Sequence, residues 1–256
     1  MAQLQNMVSK SGQMSNKELF RRYFLFLCSA FVNAFGISVI TKAMLGTSAI
    51  SSLPFVLSLF TPYTMGQYTI GLNVLFISLE MTMMKKDELF KKRYEIISQL
   101  PIGILFGLFI DVSMHYLLEW LSPDYYPAQI ATLLVGCFIL AMGISLAVKA
   151  HVAMVSGEYL VQVIANYFNK EFGFVKVCFD VTLVSIASVL SLIFLSEIQG
   201  VREGTVIAAL IVGPISHKLL PCWNIFDRWL SCQVVADCDG GDADYDACGS
   251  VGGKSE

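Results

Sequence analysis

Residues 31–43 read FVNAFGISVITKA, and residues 138–150 read FILAMGISLAVKA. In register, at an offset of 107 residues, Phe, Ala, Gly, Ile, Ser, Lys and Ala coincide. Apolar composition alone would yield about one or two identities over such a stretch. The two phrases are therefore read as copies. The register carries on beyond them: Leu53 meets Leu160, Val56 meets Val163 and Asn73 meets Asp180. In the last long apolar stretch of each half an offset of 106 pairs Gly107 with Gly213. The fold expected is an internal duplication.

The solvent of that fold follows from composition. Of 256 residues, 55% are hydrophobic and only 14% charged, with a mean hydropathy of +0.65. Soluble domains carry nearer ~25% charge. Runs of about 18 or more apolar residues point to helices that cross a bilayer. Long apolar helices are expected at approximately 22–42, 67–84, 94–119, 127–150, 173–195 and 204–220. The first is longer than the apolar region of a signal peptide and has no small-residue cleavage site after it, so it is read as retained.

Two shorter segments, 47–60 and 156–168, interrupt the series. As helices of about 13 residues they reach ~20 Å, against a hydrocarbon thickness of ~30 Å. The second bears Glu158, Gln162 and Asn166 at a spacing of four, a polar stripe unsuited to lipid. Charge decides their path. If both are re-entrant or interfacial and the N-terminus is cytoplasmic, only Lys42 and Arg202 of the 17 lysines and arginines fall outside. If both span, the basic loop KKDELFKKRY (85–94) moves outside and the bias almost vanishes. The positive-inside rule selects the first arrangement. Three spans per half is an odd number, so the second half enters the membrane upside down. The expectation is thus an all-α, polytopic membrane protein of six transmembrane helices, arranged as two three-helix inverted repeats, each with one short re-entrant or interfacial helix. Its parts are a cytoplasmic tail (1–21), a first repeat (22–120), a second repeat (127–220) and a disordered, acidic, Gly-rich tail (231–256). Both termini are placed on the cytoplasmic side of the cell membrane.

Several phrases resemble the YczE/YyaS/YitT family of bacterial integral membrane proteins, particularly its YczE branch. GTVIAALIVGPIS (204–216) resembles that group's Gly-Thr…Gly-Pro helix. Ser156, Gly157 and Glu158 resemble its small-residue turn ending in an acid, Asp180 an acidic position in the following span, and LGTSAISS (45–52) the corresponding first-half turn. The turn before Glu158 lacks a proline often found there, and the first-half turn has serines where an acid would stand. The resemblance implies an integral membrane protein with a transporter-like build and no particular substrate.

The candidate site comes from helix ends and buried charge. A helix that starts inside the membrane offers unpaired N–H groups and the positive end of its dipole. Thr47 or Ser48 is placed to cap the first short helix and Ser156, followed by Gly157, the second. Glu158 sits in that first turn, where it can answer the helix dipole or take a cation or proton. Asp180 lies well inside its span, where a carboxylate costs roughly 2.5–3.5 kcal/mol to insert. Asn73 is its counterpart. The substrate-binding set is Thr47, Ser48, Asn73, Ser156, Gly157, Glu158 and Asp180. Lys42 and Lys149 end equivalent helices, and are either charge partners for the acids or snorkelling anchors. Asp111, His115 and Glu119, four apart, form either a cation-binding face or an aqueous helix end. Gly103 and Gly107 make a GxxxG packing motif.

Cys28, Cys137 and Cys178 lie in apolar runs, no CxxC pair occurs, and neither a disulfide framework nor a zinc site is expected. No nucleophile elbow, Walker loop, HExxH or dinucleotide fingerprint is present. The chain is read as a non-enzymatic permease of an unknown small solute or ion, without cofactor or metal, with the bilayer as its partner, a homodimer as a possible assembly and no role for nucleic acid. A membrane scaffold without transport activity is the alternative.

Overall fold

The glycine of the repeated phrase explains how the two copies meet. In the computed structural model, which describes residues 16–84, 86–150, 155–197 and 200–223, helix α1 (Asn16–Lys42) lies along α5 (Tyr126–Ala150). A Cβ on Gly36 would stand 2.7 Å from the Leu140 backbone nitrogen, one on Gly143 2.8 Å from that of Asn33, and one on Gly136 2.9 Å from that of Ile40. Residues 33, 36 and 40 thus face 143, 140 and 136, so the two helices run antiparallel. Residues 140 and 143 also stand 107 positions after 33 and 36. The two contacts are therefore one contact made twice, with the copies exchanging roles. Glycine lets the backbones approach this closely. Ala34, Ile37, Ile40, Leu133, Cys137, Leu140 and Ala141 fill the seam.

The remaining helices are α2 (Ala49–Phe60), α3 (Met65–Met83), α4 (Lys86–Val112), α6 (Ser156–Phe168), α7 (Phe172–Leu195) and α8 (Glu203–Leu219). A π-helical turn, Ser113–Leu117, extends α4, and a 3-10 turn, Leu220–Trp223, follows α8. Among the described residues there is no strand. Helix α4 packs on α1 and α8 on α5, while α2 lies on α7 and α6 on α3. The short helix of each half thus lies on a long helix of the other.

Four helices are long and apolar enough to cross a membrane: Phe20–Lys42, Ile96–Leu117, Tyr126–Ala150 and Phe172–Leu195. By length and composition they are those of a helical membrane protein. Two of the six expected spans fall short of that standard. The apolar face of α3 is interrupted by Gln67, Asn73 and Glu80, and α8 has 17 residues. The first apolar helix begins at Asn16, inside the stretch assigned to the N-terminal tail. The short segments form helices of 12 and 13 residues. The acidic tail, 231–256, lies outside the described residues.

Helix ends are fixed locally. Thr64 and Gln67 form a reciprocal capping box at the start of α3. The Asp111 carboxylate accepts hydrogen bonds from Gly66 N (2.8 Å) and Thr64 Oγ1 (2.7 Å). It thereby satisfies orphan donors at the positive end of the helix. The cation-binding reading of Asp111, His115 and Glu119 is corrected here. Asp111 is engaged in holding α3, and the π-helical turn breaks the four-residue register of that face. Helix α6 closes on Asn169 in the left-handed region, with Lys170 N donating to Ala165 O.

Candidate functional site at the starts of the short helices

The Ile50 side chain in the first turn of α2 reaches the first turn of α6. A Cβ on Gly157 would stand 3.5 Å from Ile50 Cδ1 and 3.4 Å from Phe76 Cε2. One residue earlier, Ser156 Oγ donates a 2.5 Å hydrogen bond to Asn73 Oδ1 on α3. Ser156 is 3% exposed and Asn73 7%. The Asn73 amide nitrogen is buried without a hydrogen-bond partner. Gly103 of α4 makes room for it, since a Cβ there would stand 3.1 Å from Asn73 Nδ2. An unmatched amide donor in a low-dielectric interior is costly, and it is the polar feature here that a solute acceptor would satisfy.

Charge lies on the α6–α7 side. Lys176 Nζ stands 2.8 Å from Asp180 Oδ1, an i,i+4 pair on α7, with both side chains about a quarter exposed. Glu158, half-buried in the first turn of α6, feels both of these charges. Two acids and one lysine therefore share one neighbourhood. The cation beside Asp180 is Lys176, a residue the sequence analysis passed over although its spacing is the helical ion-pair spacing. Lys42 and Lys149 end α1 and α5 as expected, but neither is the partner of Asp180.

The capping roles need correction. Ser156 is the first residue of α6, and Val155 holds the N-cap position. The Ser156 hydroxyl is turned to Asn73 instead. Ser48 does stand at the N-cap of α2, but its side chain makes no capping bond and donates to Ser51 Oγ at 2.9 Å. Thr47 is fully buried and shares a 2.9 Å hydrogen bond with Thr41 Oγ1, while its N–H donates to Gly200 O. Thr47 therefore ties the end of α1 to the approach to α8, and does not line the Asn73–Ser156 contact.

An apolar groove between α2 and α3 is lined by Leu53, Pro54, Leu57, Tyr68 and Leu72. It carries no charge, and its one hydroxyl, on Tyr68, is already bonded to Thr61. Among the described residues no group of three His, Cys, Asp or Glu side chains is arranged to hold a metal.

The class defined by this fold is the helical membrane protein, with a buried polar contact where the start of the short helix α6 meets α3. The chain belongs to a family of unknown function, DUF6198, whose model matches residues 20–220. No curated protein and no solved structure matches it.

Proposed function

We propose that this protein is a permease for a small solute or ion, with its site at the interface of two inverted repeats in the cell membrane and both termini cytoplasmic. The observation that carries the reading is the buried Ser156–Asn73 pair with its unmatched amide at the start of α6, which the Ile50 side chain of α2 approaches at Gly157. Half-helices meeting inside a membrane are a common form of transporter site. The antiparallel exchange of contacts between α1 and α5 supports an inverted duplication. The likeness of 156–158 and 204–216 to the YczE branch supports a bacterial transporter-like build. A scaffold would be served by a dry interface with every polar group satisfied, and the Asn73 amide argues against that alternative.

Asymmetry between the halves supports alternating exposure. Gly66 and Gly107 are apposed, backbone to backbone, on the α3–α4 seam. Their counterparts by register are Gly173 and Gly213, and a Cβ on either would meet nothing within 4 Å. Helix α3 packs along α4, but no comparable seam joins α7 to α8 among the described residues. A second state in which α7 closes on α8 would give both glycines the close contact their counterparts already have.

A thermal-shift screen of the detergent-purified protein against metabolites and ions tests the reading. A stabilising ligand whose effect is lost in Asp180→Asn and Asn73→Leu is expected. The absence of any stabilising ligand would favour the scaffold. In a cysteine-free background, Gly173→Cys/Gly213→Cys should cross-link in membranes with a short bifunctional reagent, with Thr64→Cys/Asp111→Cys as the positive control. A control that links while the test pair never does would rule out closure.

A further inference from the structure

Glu80 lies in the last turn of α3 and is fully buried. The register of the α3–α4 seam shows what it meets. Gly66 lies against Gly107 and Asp111, and Asn73 against Gly103. The two helices therefore run antiparallel, and the last turn of α3 comes opposite residues 96–100. Of these, Ile96 and Gln99 are the buried ones. The Gln99 side chain supplies the hydrogen bond to Glu80, its amide N–H donating to a carboxyl oxygen. The Gln99 amide oxygen, on the same carbon as that donor, is buried without a partner. One donor and one unanswered acceptor thus stand together beside an enclosed carboxyl group.

A carboxylate here could use the donor only, and would bury a net charge at high cost. A carboxylic acid uses both groups, since its O–H can donate to the Gln99 oxygen while its carbonyl accepts from the Gln99 N–H. No countercharge offsets the ionised form. Helices α2, α4 and α6 pack on α3, and their described titratable side chains are Asp111, Glu158 and Tyr159. Asp111 is bonded at the far end of α3, Glu158 feels Lys176 and Asp180, and Tyr159 is neutral at ordinary pH. On α3 itself, Tyr68 is bonded to Thr61. Among the described residues no charged group acts on Glu80. At its register position, 107 residues on, stands Ala187, also fully buried. An apolar side chain serves there, so packing alone does not call for an acid. We infer that Glu80 is a proton-binding site: it takes one proton from solvent and, as a neutral acid, closes a ring of two hydrogen bonds with the Gln99 amide that latches the end of α3 to α4. Loss of the proton removes one of the two bonds and leaves a buried charge, so the latch loosens as pH rises. This site is separate from the Asn73–Ser156 contact and does not depend on a transport role.

The test compares thermal unfolding of the full-length wild type and Glu80→Gln in detergent, from about pH 5 to 8. The folded chain holds a proton that the unfolded chain releases above the ordinary carboxylate range, so stability falls as pH rises. Glu80→Gln keeps an amide–amide ring that does not titrate. Relative to it, the wild-type midpoint should fall by roughly 3–5 °C per pH unit until Glu80 ionises in the folded protein. Infrared difference spectra of wild type minus Glu80→Gln at about pH 6 should contain the C=O band of a protonated carboxyl, shifted in heavy water. If Glu80→Gln does not fold, Gln99→Leu keeps the test decisive: it deletes the ring but leaves the acid neutral, and should move that band to higher frequency. Parallel pH courses for wild type and Glu80→Gln, as for a carboxylate that stays ionised, would overturn the inference. So would a wild type without the protonated-carboxyl band, or a band that Gln99→Leu does not move.

Discussion

Glycines of equal standing in the sequence have unequal burdens in the structure. Gly36 lies against the Leu140 backbone, whereas Gly213 faces open space. Gly36→Ala forces a methyl onto a backbone atom that cannot move without shifting α5, and should cost about 1–3 kcal/mol. The melting midpoint should fall by several degrees. Gly213→Ala should leave the midpoint within a degree. Equal losses in the two variants would refute the seam described. Lys176→Met removes a partly exposed ion pair and should change stability by less than about 1 kcal/mol, while altering the stabilisation by any ligand of the Glu158–Asp180 neighbourhood. Asp180 stood out in the sequence because a carboxylate deep in an apolar run is costly. Glu80 did not, because it precedes the charged loop at 85–94, where an acid reads as solvated. Only packing against α4 revealed that it is enclosed.

The elements show the same division. The lengths of α2 and α6 were legible because neither apolar run is long enough to reach across ~30 Å of hydrocarbon. Their caps were not legible, because Ser156 and Thr47 satisfy residues brought from other helices. Asp111 is the clearest case of a role that spacing misassigned. It sits 45 residues from the Gly66 N–H it accepts from. Asp111→Ala should lower stability by about 1–2 kcal/mol through loss of this cap. Asp111→Asn, which keeps an acceptor for Gly66, should lose less than half as much. Thermal melts of the two variants side by side check this order, and equal losses would assign the effect to charge rather than to the hydrogen bond.

At the scale of the molecule, the proposed inverted arrangement predicts opposite accessibility for two loops. In a cysteine-free chain, Lys86→Cys should react with an impermeant thiol reagent only from the cytoplasmic side and Tyr125→Cys only from outside. Reagent reaching position 86 from outside would require the short helices to span and the repeats to be parallel. What the sequence determined by itself was the helical membrane class, the recurrence of one apolar phrase at an offset of 107 and the existence of two short helices. These rest on local quantities: composition, run length, register and the side on which lysines and arginines fall. The tertiary structure decided which copies of a repeated residue do the same work. Gly36 and Gly143 share one contact across the α1–α5 seam, while Gly66 and Gly173 do not share theirs, and Glu80 is buried where its counterpart is Ala187. The reason is physical: a phrase that recurs in the sequence specifies similar helices, but the environment of each residue is set by the neighbouring helix, and one chain need not give both stretches the same neighbours.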